Sequence, residues 1–345
     1  VMAKITIGDV AESAGVSIKT VSRVVNREPH VRESTRARVE AAISKLNYRP
    51  NLSARNLASQ RSYLIGLIYD DPSHYEVPSS GYVISMQQGA LRACRTADHE
   101  LLIHPCNYRS RNIADELKAL IEHARPVGIV LAAPLSNMPK IVNAIEATGT
   151  PFIRISPGAV SKRQSSVVTD DREISAEMTR YLVSLGHTRI AFIKGHPSHK
   201  AVASRYLGYR DGLDQCGLKF AESLVVDGDN SFDAGEAAAH RLLRRKKPPT
   251  AIFAANDDMA AGVIRAANLL GISVPGEVSV AGCDDVPLAR QICPTLTTIR
   301  QPLAEMAEKA ALRLLGKARN EQQPEGCEIV PASLQIREST GPAPD

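Results

Sequence analysis

From Tyr63 onward, short apolar runs alternate with amphipathic stretches, and this alternation restricts the fold more than any other feature of the chain. The runs at 63–69 (YLIGLIY), 101–105 (LLIHP), 128–134 (GIVLAAP), 151–156 (PFIRIS), 189–195 (RIAFIKG), 251–256 (AIFAAN) and 278–285 (VSVAGCDD) read as strands. They are largely apolar throughout rather than on alternate residues, which calls for cover on both faces and therefore a parallel sheet between helices. Stretches at 83–97, 112–124, 138–148, 173–186, 200–216, 233–246 and 257–270 supply the helices. Roughly 280 residues of this pattern exceed one comfortable doubly wound domain, so two similar lobes are expected. In open α/β sheets a ligand sits beyond the C-terminal strand ends. Those ends read YDDPSHY, AAPLS, RISP, KGH, AAND and GCDD, rich in the acids, amides and hydroxyls that suit a polyol.

The first 61 residues differ in kind. TIGDVAESA (6–14) opens on Thr6 with Asp9 three residues later, a capping box, and Ile7, Val10, Ala11 and Ala14 make one apolar face. Gly15 suits a tight turn, and Ser17 caps a second short helix whose Val21, Val24 and Val25 form a small apolar stripe. A third helix fits Ser34–Asn47, with Val39, Ala42, Ile43 and Leu46 inward, Asn47 able to adopt the left-handed terminal position and Pro50 barring continuation. Three short helices, the second following a Gly-containing turn, form a helix-turn-helix unit. Residues 1–61 hold 11 Lys+Arg and 5 Asp+Glu, a net of +6, while the remainder carries −1. That asymmetry points to a polyanion-binding module on a neutral domain. Residues 50–61 (PNLSARNLASQR) are small, polar and basic around the lone Leu57 and read as a linker.

Several function classes fit poorly. No apolar run approaches the roughly 20 residues of a membrane helix, and Asp9 and Glu12 interrupt any signal-peptide core, so a cytoplasmic protein is expected. The six cysteines are scattered without a CxxC pair, which indicates free thiols and neither a disulfide framework nor a zinc site. No Gly-rich phosphate loop and no GxSxG elbow occurs, so no enzyme and no cofactor is expected. His74, His187, His196 and His199 lie in loops without a nucleophile that spacing would reveal; His187, in LGHTRI, is better placed for a structural role. A solute-binding protein without DNA function is the rival reading, opposed by the basic N-terminal head.

With these features in place, the chain resembles the LacI/GalR (lactose repressor) family of bacterial transcriptional regulators along almost its whole length. TIGDVAESAGVSIKTVSRVVN is similar to the family's helix-turn-helix signature, and LNYRPNLSARNLAS to its third-helix end and hinge. LGHTRIAFIKG, SRYLGYRDGL, AIFAANDDMAAGVIRA, GISVPGEVSVAGCDDVPLA, PTLTTIRQPLAEMAEKA and IREST resemble core motifs in the family's order. The resemblance implies an all-α helix-turn-helix head (1–49), a hinge (50–61) and an α/β core (62–345) of two doubly wound parallel-sheet lobes of the type I periplasmic-binding-protein kind. Lobe 1 would comprise about 62–168 and 300–328, and lobe 2 about 169–299 and 329–345. It further implies a homodimer on palindromic double-stranded operator DNA, controlled by a small-molecule effector, a sugar or sugar acid, between the lobes. A co-repressor-dependent regulator with a nucleobase or other non-sugar ligand is the second reading within the class. The C-terminal GPAPD follows no leucine heptad, which favours a dimer over a coiled-coil tetramer.

Carried over position by position, the resemblance makes Ile18, Lys19 and Arg23 base readers. Arg and Lys suit guanine acceptors, whereas Ile offers only apolar contact such as to a thymine methyl; a buried, packing-only Ile18 is the competing reading. Thr6, Ser17, Thr20, Ser22 and Asn26 would contact phosphates or cap helices. In the hinge, Leu57 would enter the minor groove, Ala54 would permit close approach, and Asn51 and Arg55 would meet backbone or groove. Arg205, Asn256 and Asp284 match positions that hold effector hydroxyls. Strand-end position adds Asp70, Tyr75, Arg154 and Asn230, the last where some members carry an aromatic ring. Arg154 would clamp an anionic ligand or pair with Asp170 or Asp171. For Asp257 and Asp285, helix capping beside the cleft is the expected role.

Overall fold

The computed structural model describes residues 5–25, 31–48, 62–71, 81–158 and 164–344. The chain separates into two compact units, Val1–Tyr63 and Leu64–Asp345. In the first, α1 (Ile7–Ala14), α2 (Ile18–Val25) and α3 (Glu33–Leu46) pack around Val10, Val21, Val24 and Val39. The capping box is formed: Thr6 Oγ1 accepts the Asp9 N–H at 3.4 Å, and the Asp9 carboxylate accepts the Thr6 N–H at 2.7 Å. Gly15 ends α1 at φ 62°, a left-handed conformation a side chain would strain, and Asn47 ends α3 at φ 47°.

The second unit holds two six-stranded sheets. Their strands are β1 (Leu64–Asp70), β2 (Glu100–Cys106), β3 (Gly128–Leu131), β4 (Phe152–Ile155), β5 (Ser166–Val168), β6 (Ile190–Lys194), β7 (Val225–Asp227), β8 (Ala251–Ala254), β9 (Ser279–Asp284), β10 (Thr297–Arg300), β11 (Cys327–Ile329) and β12 (Ser333–Gln335). Sheet one runs β11-β5-β4-β3-β1-β2, all parallel, with β1 pairing β2 from Leu64↔Glu100 to Asp70↔Cys106. Sheet two runs β12-β10-β9-β8-β6-β7, parallel except for the antiparallel edge strand β12.

The helices between them are α4 (Gly81–Thr96), α5 (Ile113–Ala124), α6 (Pro139–Glu146), α7 (Asp171–Ser184), α8 (Lys200–Gln215), α9 (Phe232–Leu243), α10 (Asp257–Leu269), α11 (Leu288–Gln291) and α12 (Leu303–Ala318). In lobe one, α4 and α12 bury Met86, Met306 and Leu314 on one face of the sheet, and α5 and α6 bury Leu117 and Ile141 on the other. Lobe two has one core centred on Phe192, which stacks on Tyr209 at 5.1 Å and meets Phe253 edge-on at 5.2 Å. The chain passes between the sheets three times, after β5, after β10 and after β11.

All seven strands expected from apolar runs are present, with ends shifted by at most three residues. Five others, β5, β7, β10, β11 and β12, lacked such a run, and the antiparallel β12 departs from wholly parallel sheets. The reason is short length and polar composition. Thr297 and Thr298 of β10 are fully buried, but their hydroxyls find Thr340 Oγ1 (2.8 Å) and Asp257 Oδ1 (2.5 Å). No described helix is long and apolar enough to cross a membrane, and all six cysteines are free thiols. Replacing Phe192 by Ala should cost about 3–5 kcal/mol in urea unfolding, because it leaves a cavity under two aromatic neighbours.

Candidate functional site

In the head, Val21 and Val24 of α2 are buried while Ser17, Ile18, Lys19 and Arg23 are exposed, with Thr20 and Ser22 between. Ser17 Oγ accepts the Thr20 N–H at 3.2 Å and lies 2.9 Å from Thr20 Oγ1, so this pair sets the start of the helix. Ile18 is 55% exposed, which rules out a packing-only role within this unit. Lys19 and Arg23, four apart, share one helical face, so α2 presents cationic donors beside an isolated apolar side chain. Thr6 serves the α1 cap. Asn26, Asn51, Ala54, Arg55 and Leu57 lie outside the described residues, as do Tyr75 and His74.

In the core, a cavity of about 1070 Å³ lies between the lobes at the C-terminal strand ends. Lobe one contributes Tyr69, Asp70, Tyr82, Tyr108, Arg109 and Ser156, and lobe two contributes His196, His199, Arg205, Asn230, Asn256 and Asp284 among others. Of the residues expected there, Arg205, Asn256, Asp284, Asp70 and Asn230 all line it.

Arg205, buried on α8, donates from Nε to Asp171 Oδ1 at 2.8 Å and from Nη1 to the Ala255 carbonyl at 2.5 Å, with Asp284 Oδ1 3.6 Å away. Burial opposes its charge, but the acidic groups of its surroundings, Asp171 and Asp284 among them, outweigh that and raise its pKa. Asp284 accepts from Gln301 Nε2 at 2.5 Å. Burial pushes its carboxyl up to about 7 from 3.8, against the pull of Arg205. Asn256 caps α10, its Oδ1 accepting the Met259 N–H at 3.1 Å, while its Nδ2 donates to the Asn230 carbonyl at 2.9 Å. One lone pair and one N–H of this amide remain for a hydroxyl. Asn230 Oδ1 accepts the His196 N–H at 3.2 Å, and Asp70 Oδ1 the Tyr108 N–H at 3.3 Å. Three cavity-lining residues other than glycine have positive φ, Ser156 (47°), Asn230 (74°) and Asp284 (124°). Such conformations cost of order 1–3 kcal/mol each and gather where a site is held in shape.

Arg154 departs from both expected roles. It is absent from the cavity lining and from Asp170 and Asp171; its Nε donates to the Ser136 carbonyl and its Nη1 to Gln164 Oε1, each at 2.8 Å. Arg154 lies inside β4, one residue before its end, and is buried against Ser136 and Gln164, so strand-end position alone misplaces it. Asp257 and Asp285 do not cap helices. Asp257, fully buried, accepts from Thr298 Oγ1 and, at 3.0 Å, from the Val286 N–H. Asp285 binds Arg300 and Arg337 at 2.6 Å each. His187 is structural, as expected, bonded to Thr250 and Ser279 at 3.0 Å.

Sequence reasoning missed Tyr108, Arg109, His196 and His199 in the cavity. Tyr108 and Arg109 follow β2, which runs to Cys106 rather than 105, so the loop beyond it went unread as a strand end. His196 follows the KGH end of β6 and approaches the Tyr108 ring at 6.3 Å across the lobes. Burial, then the charges of His196 and Arg205, push His199 down to about 4, making it a neutral imidazole near pH 7. The described residues contain no group of His, Cys, Asp and Glu able to hold a metal.

A helix-turn-helix unit joined in sequence to a two-lobed core with a polar inter-lobe cavity defines a class: DNA-binding regulators with a small-molecule-binding core. Comparison with known proteins agrees. Residues 6–51 match the model of bacterial regulatory proteins of the lacI family, and residues 179–340 that of the periplasmic binding protein-like domain. The chain is 35% identical over 335 residues to the HTH-type transcriptional regulator GalR of Escherichia coli (strain K12), covering 97% of this chain and 95% of that protein. Among solved structures it is similar to the lac repressor dimer bound to operator and the anti-inducer ONPF (TM-score 0.78, 28% identity, 98% of this chain and 100% of that one). It is likewise similar to the CelR–cellobiose complex (TM-score 0.75, 28% identity, 97% and 99%). The chain belongs to the lacI family of bacterial regulatory proteins and is a DNA-binding transcriptional regulator with a ligand-binding core.

The Asp284 carboxyl has a pH signature. Its folded pKa, about 7, exceeds the ordinary 3.8, so its protonated form favours the fold. That stability is complete below the ordinary value and is lost as pH rises through about 7. Isothermal unfolding of the chain and of Asp284→Asn across this range should show the variant lacking that decline.

Proposed function

We propose that the protein represses carbohydrate-utilisation genes as a homodimer on a palindromic operator, and that a polyhydroxylated effector between the core lobes sets its DNA affinity. The observation that carries the reading is the inter-lobe cavity with its buried Arg205–Asp284 pair, in the same chain as a helix whose exposed face is Ile18, Lys19 and Arg23. A guanidinium and a carboxylate bind vicinal hydroxyls through charge-assisted bonds, and the Asn256 amide both donates and accepts. Support comes from the CelR structure, which holds cellobiose, and the lac repressor structure, a dimer on operator.

In this reading Lys19 and Arg23 read base acceptors in the major groove and Ile18 packs on a thymine methyl. Thr6, Ser17, Thr20, Ser22 and Asn26 hold phosphates or helix ends, and Asn51, Ala54, Arg55 and Leu57 engage the minor groove at the operator centre. Arg205, Asn256, Asp284, Asp70 and Asn230 contact the effector, and Tyr75, which follows Asp70 in the sequence, joins them. The core couples to the head because the effector prefers one lobe arrangement over the other; the sign of control follows that preference.

The test is operator binding by fluorescence anisotropy, using duplexes selected from a random library by the full-length protein. Leu57→Ala should weaken the selected duplex by about tenfold or more without loss of fold, and Ile18→Ala should relax preference at one A·T position by about 1–3 kcal/mol. Unchanged affinity and preference in both variants would remove these roles. For the core, Arg205→Lys keeps a buried cation but loses the planar fork. It should retain DNA binding in the absence of ligand while abolishing the response to any sugar that shifts the parent protein's operator affinity.

A further inference from the structure

Between Glu236 and Asp257 the chain has no acidic residue and five basic ones, Arg241, Arg244, Arg245, Lys246 and Lys247. Residues 62–345 carry a net −1, so without these five cations they would carry −6. The run begins in the last turn of α9 and continues past its end at Leu243 into the turn before β8. Leu242 and Leu243 are buried and anchor it, while Arg241, Arg244, Lys246 and Lys247 are exposed. Its backbone is held by two arginines. Arg189, the residue before β6, donates from Nε to the Pro248 carbonyl at 3.2 Å and from Nη2 to the Lys247 carbonyl. Arg245 donates from Nη1 to the Ser223 carbonyl, ahead of β7. Arg189 is thereby a sixth cation of a fixed patch.

Two ordinary explanations fall short. A helix C-terminus favours basic side chains, but that effect is confined to the last turn, and Lys246 and Lys247 lie beyond it. Elsewhere in the core, exposed cations meet carboxylates: Arg172 meets Asp211, Arg265 meets Glu236, Arg300 meets Asp285 and Lys309 meets Glu328. Among the described residues none of the six patch cations forms an ion pair. Like charges three and four residues apart, as Arg241 is from Arg244 and Arg245, repel one another, and a bound polyanion would relieve that repulsion.

Position and composition indicate which polyanion. The inter-lobe cavity lies at the C-terminal strand ends of both sheets, so their N-terminal strand ends form opposite poles of the core. The chain enters the core at the start of β1, on the pole of lobe one. The patch flanks the starts of β6 and β8, on the pole of lobe two. Protein–protein interfaces are anchored by large apolar side chains, and none of the exposed ones described in this chain lies in residues 241–248. Fixed arginines and lysines without an apolar centre suit phosphate contacts, which position a duplex without reading its sequence. DNA is also the polyanion on which proteins of this family act.

We propose, on the DNA-binding class alone and independently of the effector, that this pole is a second DNA surface. It holds, without regard to sequence, a duplex segment other than the one engaged by the helix-turn-helix head, so that the protein joins two segments of DNA.

The test uses the full-length protein carrying one equivalent of the unlabelled duplex selected from a random library. A fluorescent duplex of unrelated sequence is then titrated in and followed by anisotropy. The second duplex should bind, and its affinity should fall about a hundredfold or more as salt rises from about 50 to about 200 mM, the slope of four or more phosphate contacts. The variant Arg241→Gln, Arg244→Gln, Lys246→Gln, Lys247→Gln should lose the second duplex and keep the parent's affinity for the selected one. The charge-conserving variant Arg241→Lys, Arg244→Lys should keep both. No binding of the second duplex by the parent protein overturns the proposal, and so does binding that survives in the four-glutamine variant. Loss of the second duplex in the lysine variant overturns its electrostatic basis. Polyglutamate that binds the parent protein more tightly than the second duplex does would assign the pole to an acidic protein segment and overturn the DNA assignment.

Discussion

The buried guanidinium of Arg205 is the interaction on which the ligand-binding half of this molecule rests. It joins α8 to α7 through Asp171, to the end of β8 through the Ala255 carbonyl, and to the end of β9 through Asp284. Removing one partner from such a group leaves an uncompensated charge in a desolvated place, at a cost of about 3–5 kcal/mol. Four structural elements therefore cannot move apart without exposing or orphaning it. The same group faces the inter-lobe cavity, so the contact that holds the second lobe's strand ends together also presents the fork that a hydroxylated ligand would meet.

Around that anchor, polar groups are used twice. Asn256 caps α10 and holds Asn230; Asn230 in turn fixes the loop at His196, and Asp70 fixes the loop at Tyr108. Each leaves part of its hydrogen-bonding capacity toward the cavity. Asn230 keeps its positive φ while bonded to His196 and Asn256, Asp284 while bonded to Gln301, and Ser156 while its N–H donates to the Val167 carbonyl. A site held in this way is ordered before a ligand arrives, which lowers the entropy lost on binding.

Much of this was legible from residue patterns, and the exceptions are instructive. Continuous apolar runs marked the central strands because burial on both faces leaves no room for polar alternation. Edge strands such as Cys327–Ile329 and Ser333–Gln335 carry no such mark, and β10 hides behind threonines whose hydroxyls bond inside the fold. The head was readable in detail, down to the Thr6–Asp9 cap and the left-handed Asn47, because those motifs are local. Arg205, Asn256 and Asp284 were found by family likeness. Arg154 was misplaced and Tyr108, Arg109, His196 and His199 were overlooked for one reason: which way a loop turns after a strand depends on contacts distant in sequence. The Asp285 pairs with Arg300 and Arg337 show the same non-local logic.

The three passages of the chain between the two sheets bear on how the protein is made. Helix α12 covers one face of the first sheet, and β11 completes its edge, yet both come after every helix of the second lobe. A ribosome therefore delivers β1 to β5 with Met86, Ile65 and Ile153 lacking the side chains of Met306 and Leu314. Lobe one stays unfinished until residues 303–329 emerge, by which time β6 to β10 are already available to pair. Lobe two in turn waits for β12 and for Ser339 to Gly341, so each lobe is completed only by segments that follow residue 300, and until then the first sheet shows a bare apolar face.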